Sequence, residues 1–421
     1  MLPGMTTMTR PTGRLPSGVL VLSACVFTVC ISEFMISGLL DAMSASFRRP
    51  APVIALLTTV FAVAVMVSAP VTAAFTVRLH PKRTLIAAMS AFAVAHVLSA
   101  AIPAFWAVIA LRAVSGVACA TQLSVGAVAA VRMVEPSMRA RALAVVVGGM
   151  TVANVVGVPV SAWAGSFFGW QAAFVLVAVL AAAGCVLLGR TGIESAPAAA
   201  DGLRAQLTVE ARVLIRPAML TTFTVVVLFQ VAMFATFTYL QPLTTQIGHL
   251  GSGVTGVLLA LFGIGSMLGV TLGGAAVRHG FLRTMATGLI GTIITIAALM
   301  MLIHHSAIVL GVVVFLFGTT ACVTVPALNG RVFALAGDAP TLASGVNVAM
   351  LNLGNALGPA IAGLLITWHP GRYLLAPWCS LAAAGLALAT VALTAVAERS
   401  RRPDRTPVSS VEPCAAEDLA A

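Results

Sequence analysis

Twelve apolar runs of spanning length recur along the chain, at about 18–40, 53–77, 84–102, 105–131, 142–165, 171–189, 218–241, 254–277, 284–303, 307–328, 343–367 and 373–397. Crossing the hydrocarbon of a bilayer takes roughly 20 mostly apolar residues per helix. A soluble domain cannot hide twelve such stretches, because its surface grows nearly as fast as its core. Composition agrees, with 60% of the 421 residues hydrophobic and only 8% charged, and a mean hydropathy of +1.06. Most breaks carry turn formers or charges, such as Arg48-Arg49-Pro50, His80-Pro81-Lys82-Arg83, Glu135-Pro136-Ser137 and Gly337-Asp338-Ala339-Pro340. The break near Pro103 is very short, which suits an antiparallel helix pair. The expected fold is an all-α membrane protein with twelve transmembrane helices.

A net charge of +11 and a pI near 10.6 invite comparison with nucleic-acid binders. The distribution excludes that class, because the basic residues sit in the breaks between apolar runs. With a cytoplasmic N-terminus, one face receives Arg10, Arg14, Arg78, Lys82, Arg83, Arg132, Arg139, Arg141, Arg190, Arg204, Arg212, Arg216, Arg278, Arg283, Arg331, Arg399, Arg401, Arg402 and Arg405; the other receives Arg48, Arg49 and Arg372. Nineteen against three is the positive-inside pattern, and it places both termini in the cytoplasm, as an even helix count requires. The first run is too long for a signal-peptide core and lacks a clear cleavage site, so it reads as a retained span; Met5 or Met8 is an alternative start. The seven cysteines show no CxxC spacing and read as small hydrophobes.

Taking 190–217 as a cytoplasmic linker divides the chain into a tail at 1–17, a six-helix bundle at 18–189, a second bundle at 218–397 and a tail at 398–421. The halves resemble each other. A shift of about 201 residues carries Leu57 and Phe61 onto Leu258 and Phe262, and Asn154 and Gly157 onto Asn355 and Gly358, with Pro159 and Pro359 close by. One shift serving two separate helix pairs indicates a parallel repeat. Two pseudo-symmetric six-helix bundles with a site between them is a transporter architecture.

A charge at the membrane midplane costs about 2.5–3.5 kcal/mol on insertion scales, and the chain places few there. Among its acids only Glu33 lies well inside a span, with Asp41 at a helix end; among Lys and Arg only Arg112 does. At 1.5 Å per residue both lie roughly 10 Å below the same boundary. They can neutralise each other as a static pair that fixes helix packing, or face a shared aqueous cavity. In the second case Glu33 carries a proton whose binding reflects a balance between lost hydration and the neighbouring guanidinium.

His96, Gln122, Asn154, Gln230, Tyr239, Gln241, Asn347, Asn352 and Asn355 also lie in spans, and each either lines a cavity or hydrogen-bonds across a helix interface. Asn352 and Asn355 share a helix face at i, i+3. His96 is expected to be neutral and bonded to a neighbouring helix. Gly148, Gly149, Gly157, Pro159 and Gly165 in the fifth run, and Gly354, Gly358, Pro359 and Gly363 in the eleventh, form small-residue tracks that permit close approach and kinks. No metal spacing, nucleophile elbow or phosphate loop occurs in a suitable context, and no cofactor is expected.

These features resemble the major facilitator superfamily, in particular its twelve-helix drug:proton antiporters, over essentially the whole chain. Leu111-Arg112-Ala113-Val114-Ser115-Gly116 resembles the fourth-helix motif whose arginine is linked to proton coupling. Gly148 through Asn154, Gly157 and Pro159 to Gly169-Trp170 resembles the fifth-helix antiporter motif, here Gly149, Gly157 and Pro159 as packing residues. Ser32-Glu33-Phe34-Met35 with Gly38-Leu39 resembles the first-helix acidic motif of drug exporters. Phe234 through Tyr239 to Pro242, Leu261 through Ser266 to Thr271, and Ala339-Pro340-Thr341 resemble the actinobacterial chloramphenicol exporters. The loop between helices two and three departs from the family: Val77 stands where an Asp is usual and His80 where a glycine is, while Lys82-Arg83 remains.

The resemblance implies a monomeric exporter of small amphiphilic drugs in a bacterial inner or plasma membrane, taking protons in exchange, with the lipid bilayer and no nucleic acid as partner. It implies Glu33 and Arg112 as the proton-coupling residues; Glu33, Gln122, Asn154, Tyr239, Gln241, Asn347 and Asn352 as the substrate-binding set; and Arg78, Lys82 and Arg83 as a gating loop. A proton-coupled or facilitative nutrient importer is the alternative, although the fifth helix favours export. A membrane-embedded enzyme is a third reading, for which Glu33 and Arg112 supply no nucleophile.

Overall fold

The computed structural model describes residues 15–75, 80–135, 138–193, 214–337 and 340–400. Most of the linker at 190–217, most of both tails, Val77 and Arg78 lie outside these residues. Twelve helices in the described residues are long and apolar enough to cross a membrane: α1 (Ser17–Gly38), α2 (Ala51–Thr72), α3 (Pro81–Ala101), α4 (Phe105–Arg132), α5 (Arg141–Gly165), α6 (Trp170–Arg190), α7 (Pro217–Thr238), α8 (Gly253–His279), α9 (Phe281–Leu302), α10 (Ala307–Ala336), α11 (Gly345–Trp368) and α12 (Leu375–Glu398). Helices satisfy their own backbone polar groups, as lipid demands. An even number of crossings returns the chain to the face from which it started.

The two bundles, α1–α6 and α7–α12, repeat one packing plan. In the first, α1 packs on α5 and α6, α4 on α2 and α3, and α3 on α6; in the second, α7 packs on α11 and α12, α10 on α8 and α9, and α9 on α12. Each neighbour pair thus recurs six helices later. Across the interface the same rule holds, with α2 against α11 and α5 against α8. Even the connectors match: Gly169, between α5 and α6, has φ 84°, and Gly371, between α11 and α12, has φ 83°. That region of φ is open mainly to glycine.

Small residues set the closest approaches. Along α5, a Cβ on Gly149, Gly157 or Gly165 would overlap Ser23 or Ile31 of α1 or Leu39 just past its end. The two sets advance together in steps of eight residues, so α1 and α5 run parallel and in register. Gly354, Gly358 and Gly363 of α11 meet Gln230, the Val231–Ala235 backbone and Tyr239 in the same way. Between α8 and α10, Gly265, Gly269 and Gly273 lie against the carbonyls of Phe315, Thr319 and Val323, and Gly318 lies against that of Phe262.

Two helices depart from plain α geometry. In α5 the turn Ala153–Gly157 widens to a π-helix. Pro159 comes two residues later, and a proline both withholds its N–H and crowds the preceding carbonyls, which favours such a bulge. α10 runs to Ala336 through Pro326, eight residues past the expected end at 328. The added stretch includes the polar Asn329-Gly330-Arg331 segment. It stays helical because Arg331 finds partners: Nε donates to Thr222 Oγ1 at 3.0 Å, and Nη2 pairs with Glu398 of α12.

Candidate functional site

Glu33 sits in the last α-helical turn of α1, before Met35–Gly38 tightens into a 3₁₀ turn. Its side chain is buried at the interface between the bundles. Oε1 accepts from Asn355 Nδ2 of α11 at 3.0 Å, and Asn355 Oδ1 in turn accepts from Gln230 Nε2 of α7 at 2.7 Å. A carboxyl of the first bundle is thus held by an amide relay of the second. Next to it, the Phe34 ring stacks on Phe234 with centroids 5.5 Å apart.

Arg112 of α4 is completely buried, yet no ion pair joins it to Glu33. Nη1 donates to Ser32 Oγ at 2.7 Å and to the Ser32 carbonyl at 3.0 Å. Nε donates to the Leu57 carbonyl at 3.3 Å. The guanidinium lies over the Phe61 ring, 4.3 Å from its centroid, where the negative face of the ring attracts the cation. The guanidinium is held by carbonyls, a hydroxyl and a ring, its buried Nη2 has no hydrogen-bond partner, and it lies near the carboxyl without bonding to it. The neighbours therefore share an environment and not a bond.

The other expected residues divide into two groups. Gln122 is fully buried with neither amide atom partnered, and the Oδ1 atoms of Asn347 and Asn352 are likewise unpartnered. Asn347 Nδ2 donates to Asn329 Oδ1 at 2.8 Å, and Asn352 Nδ2 to the Val348 carbonyl at 3.0 Å. Tyr239 and Gln241 are instead engaged. Tyr239 Oη donates to the Pro359 carbonyl at 3.1 Å, joining α7 to α11. Gln241 Oε1 accepts from the Asp41 backbone N–H at 3.3 Å, and the Asp41 carboxylate accepts from Thr245 Oγ1 at 2.8 Å. The side chain of Asn154 lies outside the described residues. Lys82 Nζ donates to the Thr191 carbonyl at 2.8 Å, within its own bundle, while Arg83 is exposed.

Hydrogen bonds that cross from bundle to bundle join Asn355 to Glu33, Asp41 to Gln241, Thr245 to Asp41, and Thr59 Oγ1 to the Ala356 carbonyl at 3.3 Å. All lie from the middle of the spans toward the face opposite the termini. The bundles are clasped there.

The sequence profile described as Major Facilitator Superfamily matches residues 22–339 and 248–416. The chain belongs to the major facilitator superfamily. Among relatives, it is 33% identical to a chloramphenicol resistance protein of Streptomyces lividans, covering 95% of this chain and 99% of that one. It is 31% identical to the inner membrane transport protein YdhP of Escherichia coli O157:H7, over 90% and 95% of the two chains. Among solved structures, the nucleoside transporter NupG superposes with a TM-score of 0.71 at 13% identity, over 90% and 99%. A bacterial homologue of the human lysosomal transporter Spinster, inward-facing and unoccupied, superposes with a TM-score of 0.69 at 15% identity, over 90% and 95%. At such identities the structures establish the fold alone. As a superfamily member, the protein is a multi-pass membrane transporter.

The expectations from sequence named Glu33 and Arg112 but missed their partners. Ser32 and Phe61 carry no charge to flag them. Asn355 and Gln230 were visible only as polar residues in apolar runs, with nothing to say which would face the carboxyl.

Proposed function

We propose that this transporter is a proton-coupled exporter of small amphiphilic drugs, chloramphenicol-like antibiotics among them, acting by alternating access. In this reading the bundles at 18–189 and 218–397 rock about the interface between them. The linker at 190–217 and both tails lie in the cytoplasm, as the excess of basic residues on that face supports. Glu33 carries the proton, and Arg112 supplies the fixed positive charge against which the proton is gained and lost. Gln122, Asn347 and Asn352 offer amide atoms without protein partners, and these groups suit hydrogen bonds to a neutral or weakly polar drug. Engaged as they are, Tyr239 and Gln241 act as closing contacts.

The observation that carries the reading is the hydrogen bond from Asn355 to Glu33. A buried ionisable group in a membrane domain is functional by default. When its only hydrogen-bond partner among the described residues sits on the opposite bundle, its protonation and the opening of the interface affect each other through that bond. The chloramphenicol resistance relative supports efflux and the drug class.

Everted vesicles with an acidic interior test the whole statement. The wild-type protein is expected to accumulate labelled chloramphenicol inside them, and Glu33→Gln to lose at least about tenfold of that gradient-driven uptake, the scale of one charge-assisted hydrogen bond. Undiminished gradient-driven uptake by Glu33→Gln, at equal protein, would remove Glu33 from the mechanism.

A further inference from the structure

Behind Arg112 lies a second buried polar group that the mechanism above does not use. His96 of α3 is fully buried. Its Nδ1 is 2.8 Å from the carbonyl of Phe92, one turn earlier on the same helix. A carbonyl can only accept, so Nδ1 carries the hydrogen. In the neutral ring Nε2 is then an acceptor, and it lies 2.7 Å from Ser32 Oγ. The serine has a single hydroxyl hydrogen, which this contact directs at Nε2. Its lone pairs are thereby turned to Arg112 Nη1, 2.7 Å away. The imidazole itself is fixed between two rings, with the Phe92 centroid at 4.2 Å and that of Phe174 at 5.7 Å.

Each donor and acceptor in this series has one consistent role: Arg112 donates to Ser32, Ser32 to His96, and His96 to Phe92. Three helices, α4, α1 and α3, are connected by it, and its middle member is the residue next to Glu33. We infer that His96 is a positioning residue for the coupling site, orienting the Ser32 hydroxyl so that Arg112 is held beside Glu33 and not bonded to it. The inference rests on the reading of Glu33 and Arg112 as the coupling pair. Without the acceptor at Nε2, nothing fixes the rotation of the Ser32 hydroxyl, and one of the two contacts that hold Nη1 is no longer oriented.

Side-chain geometry supplies the test. A glutamine places its amide near the position of a histidine Nε2, whereas an asparagine reaches only that of Nδ1. His96→Gln is therefore expected to keep most of the gradient-driven uptake in everted vesicles. His96→Asn and Ser32→Ala are each expected to lose about tenfold, with a displaced pH profile, while drug-for-drug exchange in the absence of a gradient falls far less. The double variant Ser32→Ala with His96→Asn should lose no more than either alone, because residues of one network are not additive. Wild-type pH profiles in His96→Asn and Ser32→Ala would overturn the inference, and so would equal losses in His96→Gln and His96→Asn. So would a parallel fall in exchange and gradient-driven uptake, which marks a purely structural histidine. If Glu33→Gln itself transports normally against its gradient, the coupling reading fails first and takes this inference with it. Normal His96→Asn beside a defective Glu33→Gln sinks the inference alone.

Discussion

Replacing Asn355 by leucine keeps most of the side-chain volume and removes the amide. Two hydrogen bonds disappear, at 3.0 Å to Glu33 and at 2.7 Å from Gln230. Only the first crosses the interface, so only it bears on whether the bundles are clasped or parted. An amide donating to an ionised carboxylate contributes about 1.5–3 kcal/mol, and a neutral pair about 1 kcal/mol. At about 1.4 kcal/mol per factor of ten, the variant should shift the population toward the parted state by about tenfold to 150-fold when Glu33 is ionised, and by about fivefold when it is protonated. Nitroxide labels at exposed Ala104 and His305, in the connectors of the two bundles on the clasped face, report that separation by pulsed electron resonance in nanodiscs. The wild-type protein should show mainly the short distance, and Asn355→Leu a longer one whose share depends on pH. Gln230→Leu breaks only the contact inside the second bundle and should shift the distribution much less. Equal distance distributions for wild type and Asn355→Leu would refute the idea that this bond couples the acid to the interface.

Asp41, beyond the end of α1, offers a second test at the same interface. Burial holds its carboxyl above the usual aspartate range, with donation from Thr245 pulling partly the other way. A raised value in the clasped state means that clasping is strongest below the ordinary aspartate range and weakens as pH rises through the raised one. Asp41→Asn should flatten that pH dependence in the same label pair, and an unchanged slope would count against it. Packing is tested on α8. Gly269→Ala drives a methyl into the Thr319 carbonyl and should cost about 1–3 kcal/mol of stability, read as a lower melting temperature in detergent. Gly274→Ala meets nothing within 4 Å and should leave it level or slightly higher.

Much of the fold was legible because the bilayer imposes a simple rule on the sequence. Twelve apolar runs became twelve helices, and the one large difference in length, at α10, came from Arg331. A charged residue near a span end reads as a boundary in sequence, but Thr222 and Glu398 meet it on adjacent helices. The glycine tracks were legible as places of close approach. Their partners were not, since the pairing of Gly149, Gly157 and Gly165 with Ser23, Ile31 and Leu39 depends on helix rotation, which apolar periodicity hardly constrains in a chain greasy on every face. The expected basic loop shows the same limit: Lys82 is positioned by Thr191 of its own bundle, a contact that no spacing announces.

The 201-residue shift that relates Asn154 to Asn355 also carries Glu33 onto Phe234 and Arg112 onto Val313. The scaffold is thus duplicated, and the ionisable pair is not. In the second bundle the place of the acid is taken by a ring, and Phe234 stacks on Phe34 beside Glu33 itself. On the second bundle's side the carboxyl meets Asn355, the repeat counterpart of Asn154 in the antiporter-like segment of α5. A symmetric pair of acids would face each other across the interface and repel when ionised. One acid opposed by an amide can be clasped in either protonation state, with a strength that changes between them. Under the proposed proton-coupled reading, such an arrangement would let a single proton bias the motion of two otherwise equivalent halves. Installing a second acid by Phe234→Glu should therefore weaken the clasp as pH rises, and a label distance that stays short at every pH would contradict that account.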